Sequence, residues 1–463
     1  MKTIGLQFPG STRPPPEDGA LCRLGACEAA ARIAQRRITS EALVRSCLER
    51  IEAREHAVHA WAFVDPHLAL AQARARDASK PSGPLHGVPV GIKDVIDTGD
   101  MPTEYGSPLY SGHRPPADAA TVAALRAAGA VILGKTRTTE FACPFPTTTR
   151  NPHDLERTPG VSSSGSAAAI ADFMVPLANG TQTGGSVIRP AALCGIYGYK
   201  ASLDGLDRSG IRHLKHSIDT LGLFGRSLDD IALMRAALVH AAPVAFDRTG
   251  TTPRVGVCRT HVWERARPEV RAMMEAAGRT LAGAGALACD VELPPAFEAL
   301  TDCLSVISAY EGFYAHDALV RERLDAVNPW IRERYLAGRR TSRGEFEEAI
   351  IAARECRRLI GTVFDEFDVL VTPSDVGEAP RDLVSVEGGV FCGMWTVLHC
   401  PTVNLPAFTG PAGMPLGLQV VGRYGSDDAT LAAARWIERT LLDAAGALPI
   451  ACGAPDSSPV RPA

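Results

Sequence analysis

Residues 118–135, DAATVAALRAAGAVILGK, predict a helix that leads directly into a buried strand. They follow residues 85–97, LHGVPVGIKDVID, a short apolar run broken by glycines, which is typical of another buried strand ending near Lys93. A strand, a helix and a strand in this order form a βαβ-like unit. The alternation resumes at residues 253–258 (PRVGVC), 269–284 and 367–373 (FDVLVTP), and a closing helix is expected near 427–445. We therefore predict one large α/β domain around a mixed sheet.

The composition is that of an ordinary globular protein: 463 residues, 46% hydrophobic and 22% charged, which excludes wholesale disorder and a fibrous protein. The net charge of -4 lacks the basic field that nucleic-acid binding needs, so no nucleic-acid partner is expected. No apolar run reaches the roughly 18 residues of a membrane span, so no membrane partner is expected either. We interpret residues 1–21 as a flexible leader without a signal-peptide h-region and residues 451–463 as a flexible tail. Twelve scattered cysteines without a C-x-x-C pair predict free thiols in a cytoplasmic protein.

Lysine is rare in this chain, which makes each lysine informative. Of the 48 lysines and arginines only six are lysines, namely Lys2, Lys80, Lys93, Lys135, Lys200 and Lys215. A buried ammonium can lose its proton, whereas a guanidinium cannot. A lysine at the end of an apolar strand, as at Lys93, is therefore a candidate general base.

Residues 160–225 are dense in glycine, serine and threonine, a composition that predicts loops of unusual backbone geometry. Within them, TPGVSSSGSAAA (158–169) has the glycine spacing of a phosphate-binding loop, but Ser166 stands where that motif needs a lysine. In NGTQTGGSVIRPAALCG (179–195), residues 183–186 form a tight turn whose backbone N–H groups can converge on an oxyanion. Ser186 ends this turn in the position of a nucleophile, and the chain has no G-x-S-x-G elbow. Because no histidine lies in either segment, Lys93 is the candidate base.

Five blocks of this sequence closely resemble those of amidase signature enzymes: GVPVGIKD (87–94), PGVSSSGSAAA (159–169), GTQTGGSVIRPAALCGIYGYKAS (180–202), DTLGLFGRSLDDIALM (219–234) and CPTVNLPAFTGPAGMPLGLQVVG (400–422). The resemblance implies a large mixed β-sheet core flanked by α-helices on both faces, in a single domain over residues 22–450. The signature core would span about 85–235, and a variable substrate-pocket region about 290–400.

The resemblance also implies a catalytic triad. The family's nucleophile falls on Ser186, its lysine on Lys93, and its bridging serine, usually preceded by a cis peptide bond, on Ser162, 24 residues before the nucleophile. The oxyanion hole falls on the N–H groups of Thr183, Gly184, Gly185 and Ser186. A neutral Lys93 would withdraw a proton from Ser162, which in turn would deprotonate Ser186. Ser163 competes for the role of Ser162 and is separated from it only by the family spacing.

Four residues depart from the family pattern. Val161 and Ser164 replace two glycines, Gln182 replaces a common aspartate, and Arg189 is the third residue after the nucleophile instead of the second. Arg189 is either a structural ion-pair partner or a clamp for a substrate carboxylate. The second interpretation follows from the sequence around Arg189, which resembles that of malonamidase-like enzymes. The sequence leaves both interpretations open.

The predicted function is hydrolysis of C–N bonds in small amides through an acyl-enzyme, without metal or cofactor. Carbamates and aryl anilides, with side activity on esters, are alternatives on the same triad. A glutaminase subunit of a tRNA amidotransferase is another alternative, and a catalytically silent scaffold a third. His213 and His216 suggest a metal pair, but without a third ligand nearby we interpret them as a solvated loop. Substrate specificity is expected from residues 203–216 and 292–400, and a homodimer is a common assembly for such enzymes.

Overall fold

The computed structural model describes residues 19–212, 214–246, 252–383 and 389–445. Within these ranges one mixed sheet of eleven strands forms the centre of the molecule. The strands are β1 (Trp61–Val64), β2 (Pro89–Lys93), β3 (Val131–Thr136), β4 (Leu177–Gln182), β5 (Tyr197–Lys200), β6 (Thr220–Gly225), β7 (Arg254–Cys258), β8 (Leu287–Val291), β9 (Val369–Pro373), β10 (Thr402–Thr409) and β11 (Pro415–Gly422). Their order across the sheet is β1-β3-β2-β4-β6-β5-β10-β11-β9-β7-β8. The predicted α/β class with a mixed sheet is confirmed.

Fourteen α-helices occur in the described ranges. They are α1 (Ala26–Ala34), α2 (Ser40–Val58), α3 (Pro66–Asp77), α4 (Ala120–Ala127), α5 (Ser164–Ala171), α6 (Ile188–Cys194), α7 (Leu228–Val239), α8 (Pro268–Gly283), α9 (Leu300–Ala315), α10 (Ala318–Glu322), α11 (Pro329–Arg340), α12 (Arg343–Glu366), α13 (Gly393–Val397) and α14 (Asp427–Ala444). Short 3₁₀ turns lie at Leu21–Arg23, Pro108–Tyr110, Glu140–Ala142, Trp263–Arg265 and Pro295–Ala299.

The βαβ-like unit predicted around Lys93 is present. Strands β2 and β3 are parallel neighbours, and α4 lies between them in the chain. A second such unit joins β7 through α8 to the parallel strand β8. The crossover helices let strands run parallel, so the carboxyl end of β2, where Lys93 stands, lies at the same sheet edge as the end of β4.

Helices cover the central strands on both faces, as expected. Strands β4 to β6, β10 and β11 are buried at nearly every position, which requires cover on both sides. Two groups of helices supply it: α5 and α6 pack on these strands, and so do α7 and α14. A further layer, α9 with α11 and α12, packs together outside this core.

The region 160–225 is more regular than its composition predicts. It contains α5, β4, α6, β5 and β6, with the short turns 160–163 and 183–187 beside the predicted site. Here the small residues allow close packing of regular elements. A Cβ on Gly165 would lie 2.4 Å from the carbonyl oxygen of Ala60, and one on Gly180 would lie 2.7 Å from the Ser163 hydroxyl. Residues 1–18 of the predicted leader and the whole tail 451–463 lie outside the described residues.

Candidate active site

Lys93 lies at the end of β2, fully buried, with its ammonium surrounded by hydroxyl groups. Its Nζ is 2.8 Å from Ser162 Oγ, 2.9 Å from Ser163 Oγ and 2.8 Å from Thr181 Oγ1. The backbone N–H of Lys93 donates to Asn179 Oδ1 at 2.9 Å, which ties β2 to β4 at this point. The structure thus brings together Lys93 and both candidate bridging serines.

Burial lowers the pKa of Lys93 well below its ordinary value, because desolvation penalises the ammonium. The charge of Asp219 opposes this shift, and the charge of Lys215 adds to it. No carboxylate forms an ion pair with Lys93 among the described residues. A neutral Lys93 can accept a proton, which is the property that a general base requires.

The two serines differ in what their hydroxyls already bind. Ser163 Oγ donates to the carbonyl oxygen of Thr181 at 3.2 Å and accepts from the N–H of Thr181 at 3.4 Å. Ser162 Oγ has only the bond to Lys93 within the described part of the chain. A relay serine needs a hydroxyl proton that is free to pass on. This difference favours Ser162 as the relay. Ser163 instead has a structural role, because its hydroxyl is bound to the backbone of Thr181 on β4.

The peptide bond that precedes Ser162 is trans, as are all peptide bonds of the described residues. The cis bond expected from the resemblance is therefore wrong for this structure. A trans bond is the ordinary state of a non-proline peptide, favoured by about 3 kcal/mol. In this conformation Ser162, in the turn that precedes α5, already reaches Lys93.

The turn 183–186 connects β4 to α6 and borders a cavity. The backbone N–H groups of Thr183, Gly184, Gly185 and Ser186 donate to no acceptor among the described residues. The Ser186 hydroxyl likewise makes no hydrogen bond there, neither to Ser162 nor to any other described residue. Unpaired donors beside a partly exposed serine are the arrangement that an oxyanion hole needs. Catalytic hydrogen bonds often tighten only when substrate is bound.

Gln182, one of the departures from the family pattern, holds this turn in place. Its Oε1 accepts from the N–H groups of Val187 and Ile188 at 2.9 and 3.0 Å. Its Nε2 donates to Thr396 Oγ1 at 3.2 Å. The amide therefore caps the start of α6 as an aspartate would, and also donates a hydrogen bond that a carboxylate could not.

Arg189 forms an ion pair with Asp375, in which Nε donates to Oδ2 at 2.8 Å, and both side chains are buried. Arg189 thus has the ion-pair partner that its structural interpretation requires. Arg189 also borders the cavity beside Ser186. Its charge is already compensated by Asp375, which weakens the case for Arg189 as the principal clamp for a substrate carboxylate.

The cavity beside the turn has a volume of about 360 Å³. Its walls come from the turn itself, from Leu214 and Lys215, from α9 and α11, and from residues 389–394. The two variable stretches expected to line the pocket, 203–216 and 292–400, both reach it. Trp395 is wholly buried in the core, and its neighbour Met394 borders the cavity instead.

Sequence analysis did not single out Thr181, Asn179 or Asp219 around Lys93. Asp219 accepts hydrogen bonds from Thr183 Oγ1 and from the N–H groups of Leu214 and Lys215, so it joins the turn to residues 214–219. No local pattern marks such residues, because their partners are distant in sequence. The rarity of lysine in this chain, which made Lys93 a candidate, applied equally to Lys215.

Only His216 of the predicted histidine pair is among the described residues. His213 lies outside the described residues, and His216 is exposed. In the described ranges no group of three or more histidine, cysteine, aspartate or glutamate side chains could hold a metal ion. Among the same residues, no helix combines the length and apolar character needed to cross a membrane.

The relay assignment makes a direct prediction for Ser162 and Ser163. We expect Ser162→Ala to lower kcat by about 10²- to 10³-fold, because the proton path from Ser186 to Lys93 is interrupted. Ser163→Ala should cost less than about tenfold in kcat and instead lower the thermal midpoint, since it removes the two hydrogen bonds between Ser163 Oγ and the backbone of Thr181. Steady-state kinetics and thermal denaturation of both variants provide the measurement. The reverse order of kcat losses would assign the relay to Ser163.

Comparisons with known proteins show what the chain as a whole is similar to. The family model described as Amidase matches residues 42–431. Among curated proteins, the chain is similar to a glutamyl-tRNA(Gln) amidotransferase subunit from Acidothermus cellulolyticus, with 34% identity over 474 residues, 88% of this chain and 92% of that protein. Among solved structures, it is similar to a crystal structure of an amidase, with 29% identity, a TM-score of 0.82, and coverage of 90% of this chain and 99% of that one. It is also similar to an inhibitor-bound structure described as a vestigial protein complex that reveals the origins of an s-triazine catabolic enzyme, with 29% identity, a TM-score of 0.82, and coverage of 93% and 100%.

Proposed function

We propose that this chain, which belongs to the amidase signature family of hydrolases, cleaves the C–N bond of small amides through Lys93, Ser162 and Ser186. The observation that carries the proposal is the 2.8 Å contact between the buried Nζ of Lys93 and Ser162 Oγ, next to a turn with unpaired N–H groups. A buried neutral amine, a relay hydroxyl and an oxyanion site are the parts that acyl transfer to serine requires.

The proposed reaction moves one proton in each half. Neutral Lys93 takes the proton of Ser162, which takes the proton of Ser186 as Ser186 Oγ attacks the amide carbonyl carbon. The N–H groups of residues 183–186 bind the oxyanion, and the proton returns through Ser162 to the leaving nitrogen as the C–N bond breaks. Water then attacks the ester on Ser186 by the same relay and releases the carboxylic acid.

A carbamate or an aryl anilide can enter the same sequence, because its carbonyl carbon accepts the same nucleophile and its nitrogen leaves in the same step. The apolar walls of the cavity, including Leu304, Trp330 and Met394, can contact such groups.

The second candidate is the glutaminase subunit of a tRNA amidotransferase. The observation in its favour is the similarity to curated amidotransferase subunits over most of their length, 92% for the relative from Acidothermus cellulolyticus. A free-standing enzyme is supported by the cavity of the single chain, which is bordered by the exposed side chains of Arg265 and Arg334.

Two measurements on the purified chain test the proposal. Ammonia or amine release is measured for small acidic amides, neutral amides, anilides, carbamates and glutamine. A fluorophosphonate probe is added in parallel, and the labelled peptide is identified by mass spectrometry. We expect turnover of at least one non-glutamine substrate and an adduct on Ser186. Turnover of glutamine alone, and only after other polypeptides are added, would favour the second candidate; an adduct on another residue would refute the triad.

A further inference from the structure

The cavity beside Ser186 is positively charged. Four of its lining residues are cationic, namely Arg189, Lys215, Arg265 and Arg334, and none of the lining residues that the structure describes is an aspartate or a glutamate. The pKa of His316, which also lines the cavity, is lowered to about 4, chiefly by burial and further by nearby cations that include Arg212 and Lys215. This histidine is therefore neutral at physiological pH and adds no charge of its own.

Lys215 differs from the other three cations. Arg189 is paired with Asp375, while Arg265 and Arg334 are exposed, the latter with its guanidinium 4.8 Å from the ring centre of Trp330. Lys215 is only 7% exposed, yet its ammonium makes no hydrogen bond and no ion pair with any described residue. A buried cation without a partner is costly unless an anion completes the site.

The carboxylate of Asp219 does not fill this role. Asp219 lines a small side cavity together with Lys215 and Ser162. Its oxygens accept from Thr183 Oγ1 and from the backbone N–H groups of Leu214 and Lys215, and not from the Lys215 ammonium. Lys215 thus lines both the small side cavity that contains Ser162 and the cavity that contains Ser186.

We propose that Lys215 anchors a carboxylate of the substrate, so that the natural substrate is a small amide that carries a carboxylate group. This inference rests on the proposed amide hydrolysis at Ser186 and names its substrate class. Apolar side chains such as Leu304 and Ile331 would contact the carbon chain between the amide and the carboxylate. Arg334, exposed at the cavity, attracts the anion as it enters.

The same arrangement disfavours glutamine. Glutamine and glutaramate share the amide, the chain length and the carboxylate, but glutamine also carries an α-ammonium group. No described residue of the cavity offers a carboxylate to that ammonium, and the surrounding cations repel it. Glutaramate should therefore be the better substrate of the two.

The proposed role of Lys215 can be tested by measuring the turnover of acidic amides and of neutral amides of the same shape. Malonamate, succinamate and glutaramate are compared with the neutral amides in which an isopropyl group replaces the carboxylate. We expect kcat/KM to be about 10- to 100-fold higher for the best acidic amide than for its neutral counterpart. Lys215→Met should remove most of this preference, mainly through KM, while Lys215→Arg restores part of it. Lys80→Met, at an exposed lysine away from the cavity, serves as the matched control.

A binding measurement separates this inference from the proposed function. In the background of Ser186→Ala, calorimetry gives the Kd of the acidic amide with and without Lys215→Met, and we expect a weakening of about 10- to 100-fold. An unchanged Kd, a wild-type preference for the neutral amides or for glutamine, or an equal loss on acidic and neutral substrates would each overturn the anchor. Failure of the wild-type chain to hydrolyse any amide would instead count against the proposed function, and the calorimetry would still decide the role of Lys215.

Discussion

Ser186→Ala is expected to lower kcat on the order of 10⁴-fold or more, the largest effect of any single substitution in this chain. The hydroxyl is the proposed nucleophile, and the unpaired N–H groups of residues 183–186 can stabilise an oxyanion only if something attacks the carbonyl. The variant should also lose the covalent adduct and any burst of product. Substrate Kd should change by less than a factor of about three, because the substitution removes one atom from the wall of the cavity.

A matched control is Ser79→Ala, at an exposed serine in the turn after α3. It should retain wild-type kcat and label at Ser186. If Ser186→Ala kept more than about a tenth of the activity, or if an adduct still formed within the turn, the nucleophile would have to be another residue.

The second large effect concerns Lys93. We expect Lys93→Met and Lys93→Arg both to lower kcat on the order of 10³- to 10⁴-fold. Methionine has a similar length but no basic nitrogen. Arginine keeps a positive charge that cannot lose its proton, so it cannot accept one from Ser162. Lys93→Arg should also unfold more readily, because a permanent charge would replace a neutral amine in a fully buried site.

The pH dependence follows from the lowered pKa of Lys93. The neutral amine is the active form, so kcat/KM of the wild-type enzyme should rise with pH through the folded-state pKa of Lys93 and stay high above it. Burial keeps that pKa well below its ordinary range, so the rise should come at a lower pH than for a solvated lysine. The residual activity of Lys93→Met should lack this rise.

The pH dependence of the free energy of unfolding reports on the protonation of Lys93 independently of activity. Between the folded-state pKa and the ordinary lysine pKa, the unfolded chain holds a proton on Lys93 that the folded chain does not. The free energy of unfolding of the wild-type protein therefore increases with pH in this window, and Lys93→Met should have a shallower slope by one proton. Burial also lowers the pKa values of Lys135 and Lys200 to about 8. These two lysines contribute equally to the pH slope of the free energy of unfolding in the wild-type protein and in Lys93→Met. Equal slopes in the two proteins, or an active Lys93→Arg, would contradict the assignment of Lys93 as a buried neutral base.

Local sequence patterns were sufficient for the fold class, and they also pointed to Lys93 and Ser186 as candidates. Apolar runs predicted β2, β3, β7 and β9, and helical periodicity predicted α8 and α14 close to their observed bounds. These elements are specified by neighbouring residues, through backbone sterics, side-chain alternation and helix-period burial, so they can be recognised in a single sequence. The lysine at the end of a buried strand and the turn that ends at Ser186 were also local information, whereas the role of Ser162, 24 residues before Ser186, was implied only by the resemblance to amidase signature enzymes.

The roles that depend on distant contacts could be decided only in the folded chain. Ser162 and Ser163 are adjacent, and they differ because β4 places Thr181 against the Ser163 hydroxyl. The partner of Arg189 is Asp375, 186 residues away, and the partners of Lys93 are 69 to 88 residues away. The position of Lys215 in the wall of a cavity depends on the other walls, which α9 and α11 contribute. Such pairings arise from packing between elements, which hydrophobic periodicity does not encode. They decide which polar side chains stabilise the fold and which remain available for chemistry.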